Sequence, residues 1–181
     1  MLFRSENVSW NDCQEFVKQL NDLNVAPPGY RFSLPTEAQW EYACRAGTTT
    51  PFNFGRVLNG DQANCDGIKH PYGTWTKGRY WGRTSEVQAY RANAWGLFDM
   101  HGNVWEWCLD RYGDYPGGSV TDPVGTSSGS PVVLRGGSWG NNARDCRSAF
   151  RSDYAKLCRS AFRGANRGYS IGVRLSLVPV E

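Results

Sequence analysis

Helical periodicity is confined to the first quarter of this chain, and this restriction limits the folds that it can adopt. Two amphipathic helices are predicted before residue 47, whereas after residue 50 short apolar stretches alternate with Gly, Asn, Asp and Pro. The chain also contains 21 Gly, 9 Pro and 8 Trp in 181 residues. This pattern predicts one irregular α+β domain, residues 1–181, in which large aromatic side chains supply much of the packing.

Two capping boxes mark the helix starts. Ser9 is followed by Asp12, and Thr36 is followed by Gln39, so each cap hydroxyl has a side chain three residues later that can return to the cap backbone. The helices are predicted to end near Asn24 and near Gly47. Cys13 lies on the apolar face of the first helix and is expected in the core.

Four short strands are predicted from apolar and β-branched stretches bounded by turn residues. They are residues 31–34, 104–110, 132–135 and 171–177. Residues 112–131 are polar and rich in Gly, Pro and Ser, which predicts a long surface loop within the domain.

Positive charge is concentrated near the C-terminus. Residues 135–174 contain eight Arg and one Lys against two Asp, although the net charge of the whole chain is only +3. Two interpretations are open, because Arg serves both: the guanidinium groups tie loops together inside the domain, or they form a cationic face for a ligand.

Several classes of function are disfavoured by composition. No apolar run is long enough to cross a membrane, and the first residues lack the apolar core of a signal peptide. Six Cys without a C-x-x-C pair and only two His give little material for a zinc site. No groove-reading motif is present, so neither a nucleic-acid partner nor membrane insertion is expected.

The segment from Leu97 to Trp107 carries oxygen ligands around a glycine. Asp99, Asn103 and Glu106 offer side-chain oxygens, and Gly102 permits a tight turn. The spacing is not that of a standard calcium loop, so from the residues alone the favoured interpretation is a strand with Trp105 on one face and acids that cap a loop.

Four motifs in order resemble the formylglycine-generating enzyme (sulfatase-modifying factor) family. They are residues 33–48 (SLPTEAQWEYACRAGT), 94–110 (AWGLFDMHGNVWEWCLD), 135–139 (RGGSW) and 171–175 (IGVRL). The resemblance covers nearly the whole chain from Val8 onward. It implies a variant of the C-type-lectin-like fold, with two helices, short antiparallel strands and much coil.

The family's enzymes oxidise a substrate cysteine with O₂ and copper held by two thiolates, which suit Cu(I). Asn141 stands where the first of these cysteines belongs, and Cys146 falls at the second position. The resemblance therefore implies no copper and no catalysis. The alternative is an enzyme of this type that uses Cys146 alone, or of the related His-ligated iron branch.

The family also pairs a cysteine matching Cys44 with one near Cys146, so a contact between these thiols is expected.

The resemblance favours a calcium ion in the segment from Leu97 to Trp107. A family calcium site matches it, and the implied ligands are the Asp99 and Glu106 carboxylates with the carbonyls of Gly102 and Val104. A structural calcium ion is therefore an expectation.

The C-terminal segment also resembles the variable proteins of diversity-generating retroelements, a non-catalytic branch of the fold. These proteins change asparagine codons in a stretch that here corresponds to residues 135–174, which implies a variable ligand-binding segment. Tyr, Trp, Ser, Gly and Asn are also the composition of adaptable binding surfaces. A protein or cell-surface ligand is expected. The protein itself is expected on a phage virion or a bacterial surface. The predicted contact residues are Trp139, Gly140, Asn141, Asn142, Asp145, Phe150, Ser152, Asp153, Tyr154, Gly168, Tyr169 and Ser170.

Overall fold

A computed structural model describes residues 6–115, 117–126, 131–152 and 170–180. Two helices and six short strands lie within these ranges, and the connecting coil includes one 3₁₀ turn. The helices are α1 (Trp10–Asp22) and α2 (Glu37–Arg45), and the turn is Ala143–Cys146. The strands are β1 (Tyr30–Ser33), β2 (Trp105–Arg111), β3 (Val132–Arg135), β4 (Arg151–Ser152), β5 (Ile171–Gly172) and β6 (Ser176–Pro179).

Both predicted helices are present with their capping boxes. The Ser9 hydroxyl accepts from the Asp12 amide at 3.1 Å, and the Asp12 carboxylate accepts from the Ser9 amide at 2.9 Å. Thr36 and Gln39 make the same reciprocal pair at the start of α2. Because these contacts span only three residues, the local sequence suffices to place both helix starts.

The strands form two sheets. One sheet pairs β1 with β6, and the other has the order β4-β3-β2-β5. Pairing is antiparallel except between β2 and β5, which run parallel with Trp105 opposite Ile171. The prediction of one strand over residues 171–177 is wrong, because β5 and β6 belong to different sheets and residues 173–175 carry the chain from one to the other.

Among the described residues the apolar core is divided into three clusters. One lies between α1 and β2, and Cys13 is buried in it as predicted. A second gathers around Trp40, Cys44 and Cys108 beneath α2. The third joins Phe52, Leu58, Ala63 and Cys65 to Ala143 and Cys146. The third cluster connects the middle of the chain to the segment predicted to bind a ligand. Among the described residues no helix is long and apolar enough to span a membrane.

Candidate functional site

A double-glycine turn directs the chain away from β3 and starts the candidate site. Gly136 and Gly137 have φ angles of 94° and 73°, a region that side chains other than glycine rarely adopt. A Cβ atom on Gly137 would lie 2.5 Å from the Cys146 sulfur. The turn is also bonded to the 99–106 segment, since the Gly102 amide donates to the Gly136 carbonyl at 2.7 Å.

Residues 139–146, hereafter the binding loop, are held from inside by their own polar groups. The Asn141 amide donates to the Ser138 carbonyl at 3.0 Å, and the Ser138 hydroxyl donates to the Asn141 side-chain oxygen. The Asn141 side chain also hydrogen-bonds to Asp145. Burial nevertheless raises the pKa of Asp145 above its ordinary value. Asn141 therefore has a structural part in shaping this loop.

The binding loop lies against residues 65–70. The Asp66 amide donates to the Asn141 carbonyl at 2.9 Å, and the Ala143 amide donates to the His70 carbonyl at 3.2 Å. Asp66 and Asn142 form an isolated parallel β-bridge. Two distant parts of the chain are thus joined by backbone hydrogen bonds at the candidate site.

His101 supports the binding loop from below as a neutral imidazole. Its Nδ1 donates to the Cys146 carbonyl at 2.7 Å, and its Nε2 accepts from the Asn53 amide at 3.0 Å. The edges of Phe52 and Phe54 pack against the ring. Burial lowers the pKa of His101 to about 4, because the charged form would lose its hydration.

Arginines hold the C-terminal segment to α2. Arg135 is 1% exposed, and its Nε donates to Glu37 at 2.9 Å while its Nη1 donates to the Ser148 carbonyl at 2.8 Å. Arg151 donates to both oxygens of Glu37, at 2.8 and 2.6 Å. Burial alone would lower the pKa of Arg135, but the carboxylates of Glu37 and Glu41 outweigh it and raise that pKa. For these two arginines the internal-tie interpretation is confirmed.

Not every arginine of the segment is internal. The Arg144 side chain is 68% exposed and lies 3.7 Å from the Asp145 carboxylate. Arg147 bonds the Arg144 carbonyl at 2.7 Å. The internal-tie interpretation therefore does not extend to Arg144, and a cationic ligand face stays a prediction. Arg159, Arg163 and Arg167 lie outside the described residues.

The residues predicted to hold calcium have other partners. Arg174 donates to both Glu106 oxygens, at 2.7 and 2.8 Å, and Trp40 adds a third hydrogen bond at 2.7 Å. The Gly102 carbonyl accepts from the Val104 amide at 3.0 Å. Asp99 accepts from the Gln88 amide at 3.1 Å and, with Arg174, lines a cavity of about 300 Å³.

This donor set does not fit a calcium ion as it stands, because a divalent cation at Glu106 would lie beside a guanidinium group that already neutralises the carboxylate. Within the described ranges, no three His, Cys, Asp or Glu side chains are grouped as metal ligands would be. The expectation of a calcium ion at this segment rests on the family resemblance alone.

The predicted contact residues fall into two groups. Gly140 is exposed, and Trp139, Asn141, Asn142 and Asp145 are half-buried in the binding loop. The second group surrounds Trp105, whose ring lies 6.0 Å from that of Phe150 and whose amide donates to the Ser170 carbonyl at 2.7 Å. Ser152 pairs with Leu134 in the sheet. Asp153, Tyr154, Gly168 and Tyr169 lie outside the described residues.

An aromatic surface beside the binding loop was missed in the sequence. The Tyr80 ring lies 6.4 Å from the Trp139 ring, and both side chains reach solvent. Trp81 is 48% exposed, and the Arg79 guanidinium lies over its ring at 5.9 Å. The run RYW at residues 79–81 was the available signal, but its proximity to Trp139 depends on tertiary structure.

The expected contact between Cys44 and Cys146 is absent from the described contacts. The Cys44 sulfur lies 3.6 Å from the Ser148 hydroxyl and 3.7 Å from His101 Nε2, whereas the Cys146 thiol is hydrogen-bonded to Cys65. Cys65 is therefore the neighbour of the thiol at the family's second copper position.

These elements define an α+β domain of the formylglycine-generating-enzyme type, a variant of the C-type-lectin-like fold. Residues 5–167 match the family described as the sulfatase-modifying factor enzyme 1-like domain. The chain belongs to this family. It is 35% identical over 148 residues to the formylglycine-generating enzyme of Streptomyces coelicolor and 38% identical over 123 residues to the serine/threonine-protein kinase pkn1 of Chlamydia caviae.

The chain spans only part of these relatives. The two alignments cover 74% and 65% of this chain but only 41% and 18% of the respective relatives. Among solved structures, Treponema denticola variable protein 1 is similar with a TM-score of 0.74 and 26% identity, covering 97% of this chain and 70% of that one. PvdO from Pseudomonas aeruginosa is similar with a TM-score of 0.74 and 27% identity. The match covers 97% of this chain and 62% of the PvdO chain.

Proposed function

We propose that this domain is a non-catalytic binding protein, the variable protein of a diversity-generating retroelement, that recognises a protein or cell-surface target through its C-terminal segment. The observation that carries the proposal is Asn141. It occupies the position of the first copper-binding cysteine, and its side chain is bonded to Ser138 and Asp145 instead. An amide oxygen is a poor ligand for Cu(I), which prefers soft thiolates.

The remaining thiol at the motif is poorly suited to catalysis. Cys146 is fully buried, and the hydrogen bond with Cys65 together with burial raises its pKa well above the ordinary value. A thiol in this state is a weak nucleophile and a weak metal ligand, because both roles need the thiolate. Gly137 packs closely against the Cys146 sulfur, since an added Cβ there would lie 2.5 Å away.

The binding loop suits recognition better than catalysis. Gly140 and the half-exposed Trp139 lie at the surface, and Trp139 adjoins Tyr80. Exposed aromatic rings give large contact area with little loss of side-chain entropy, and Asn and Ser add adaptable hydrogen bonds. Arg135 and Arg151 hold the segment from beneath, so surface side chains can change without loss of the fold.

The proposal is tested by sequencing this gene from many members of one population. We expect substitutions that alter only adenines of asparagine codons, concentrated at positions such as Asn141, Asn142 and Asp145. Gly136, Gly137 and Trp105 serve as matched invariant positions, because the turn and the core need them. A nearly identical template repeat beside a reverse-transcriptase gene is expected in the flanking DNA. Identical residues at all the predicted contact positions would refute the proposal.

A copper-dependent oxidase is the alternative, and the identity to formylglycine-generating enzymes favours testing it. The assay supplies copper and O₂ to the purified protein with a cysteine-containing peptide. We expect no oxygen uptake and no change in peptide mass. Turnover that disappears in Cys146→Ser but survives in Cys108→Ser would establish the enzyme and overturn the non-catalytic proposal.

A further inference from the structure

Cys65 and Cys146 are two buried thiols in direct contact, each from a different part of the chain. We propose that these residues are the halves of a disulfide that fastens the binding loop to residues 65–70 when the protein occupies an oxidising compartment. The inference concerns a covalent modification of the domain, so it stands whether or not the binding proposal holds.

Backbone pairing brings together the two chain segments that carry the cysteines. Asp66 follows Cys65 directly, and its amide donates to the Asn141 carbonyl at 2.9 Å. The parallel bridge between Asp66 and Asn142 brings the two chain segments side by side just before the 3₁₀ turn that ends at Cys146. A disulfide needs α-carbons within about 7 Å; the two side chains already meet, since they hydrogen-bond and share one apolar cluster.

Packing places both thiols in the same apolar environment. Both belong to the cluster around Phe52 and Leu58, and their exposed fractions are 1% and 0%. Gly137 closes the opposite side of Cys146, because even one added carbon there would lie 2.5 Å from the sulfur. In this apolar cluster the hydrogen-bond partners of the Cys146 thiol are Cys65 and, at 3.7 Å, the Asn142 carbonyl. A covalent bond between the two sulfurs would remove two polar S–H groups from the cluster.

The other described cysteines lack such a partner. Cys13 is buried in the α1 cluster, and although Cys44 and Cys108 share a cluster, the Cys44 sulfur contacts Ser148, His101 and the Met100 carbonyl. Oxidation should therefore be selective among the described thiols.

The reaction is a thiol–disulfide exchange with a small disulfide such as oxidised glutathione. One cysteine, as thiolate, attacks a sulfur of the small disulfide, forms a mixed disulfide and releases one small thiolate. The second cysteine then attacks the mixed disulfide and releases the other. Two protein thiols become one S–S bond, the small disulfide is reduced to two thiols, and these take up both protons. Because the sulfurs are buried, the exchange takes place during folding or local opening of the binding loop.

The bond would affect both stability and recognition. It closes a ring through residues 65–146, and cross-links over long loops restrict the unfolded chain most strongly. It would also fix one end of the binding loop, which reduces the ordering needed on ligand binding.

The test compares the full chain refolded in a glutathione redox buffer with the same chain kept reduced. Trypsin releases Cys65 within residues 57–69 and Cys146 within residues 145–147. We expect these peptides to be joined in the non-reduced digest and separate after reduction. We also expect four of the six cysteines to react with a thiol reagent in denaturant, and the oxidised protein to melt at a higher temperature than the reduced one.

Variants decide whether this pair is responsible. Cys65→Ser should abolish the difference in melting temperature between oxidised and reduced protein, whereas Cys108→Ser should preserve it. Cys146 joined to any other cysteine, or both peptides free after oxidation, would overturn the proposal. If Cys65→Ser does not fold, the peptide map of the unmodified sequence decides alone.

Discussion

Replacement of Glu37 by Gln tests whether buried ion pairs hold the C-terminal segment in place. The Glu37 side chain is 6% exposed and accepts hydrogen bonds from Arg135 and Arg151, whose side chains are 1% and 15% exposed. Glutamine keeps the size of the side chain but removes its charge and one acceptor oxygen. Arg135 would then keep Glu41, at 2.9 Å, which also pairs with Arg45, whereas Arg151 would lose the charge of Glu37.

The expected loss of stability is large for a single isosteric change. Removing one partner of a buried ion pair costs about 3–5 kcal/mol, because the remaining charge stays buried without compensation. Since Glu41 keeps part of the compensation for Arg135, we expect about 3 kcal/mol, which lowers the melting temperature by roughly 6–12 °C in a domain of this size. Asp22→Asn is the matched control: Asp22 pairs with Lys18, but both side chains are more than 60% exposed. It should cost less than about 1 kcal/mol.

The assay is urea denaturation of both variants and the unmodified chain, followed by tryptophan fluorescence. The slope of the unfolding free energy against urea concentration must be equal before the free energies of unfolding are compared, because a changed slope indicates a changed unfolded state. If Glu37→Gln loses no more stability than Asp22→Asn, the arginines do not hold the segment in the way described.

Three further predictions concern pH, backbone geometry and calcium. His101 stays neutral in the fold because its pKa is about 4, against an ordinary 6.5. Its contribution to the free energy of unfolding is therefore fully present above pH 6.5 and is lost as the pH falls toward 4, a loss of about 3 kcal/mol. When unfolding is measured across this pH range, the loss of stability should be smaller in His101→Gln. Gly137→Ala should lower the free energy of unfolding by about 2 kcal/mol or more, since φ is positive and the Cys146 sulfur blocks the added carbon. In the control Gly140→Ala the added Cβ has nothing within 4 Å, so this variant should unfold at nearly the same urea concentration as the unmodified chain. We expect calcium and a chelator to give equal melting temperatures because Glu106 is already neutralised; a calcium-dependent increase that Asp99→Asn removes would establish the calcium site.

Local signals predicted the helices well. The capping boxes at Ser9 and Thr36 act over three residues, so the sequence contains nearly all the information needed to place these helix starts. The strand at Val132–Arg135 was also predicted with its bounds, because apolar residues lie between a turn-rich loop and two glycines. These elements depend little on distant residues, and for this reason they could be predicted.

Elements that depend on distant partners could not be predicted in this way. Residues 171–177 have a strand-like sequence, but Arg174 donates to Glu106 and to the Phe98 carbonyl. The segment therefore contributes to two sheets, separated by the residues around that arginine. The contact between Cys65 and Cys146 was missed for the same reason, since it depends on a β-bridge between residues far apart in sequence.

The structure also explains how one frame could support either an enzyme or a binding protein. The Gly136–Gly137 turn, the arginines bound to Glu37 and the neutral His101 support the binding loop in addition to the hydrogen bonds that the Asn141 side chain makes within it. A cysteine at that position would present a thiol from this loop, while asparagine bonds back to Ser138 and Asp145. Because these supports come from residues other than Asn141, a change of residue at position 141 removes only the hydrogen bonds inside the loop. The surface positions are then free to vary for recognition, as the proposed function requires.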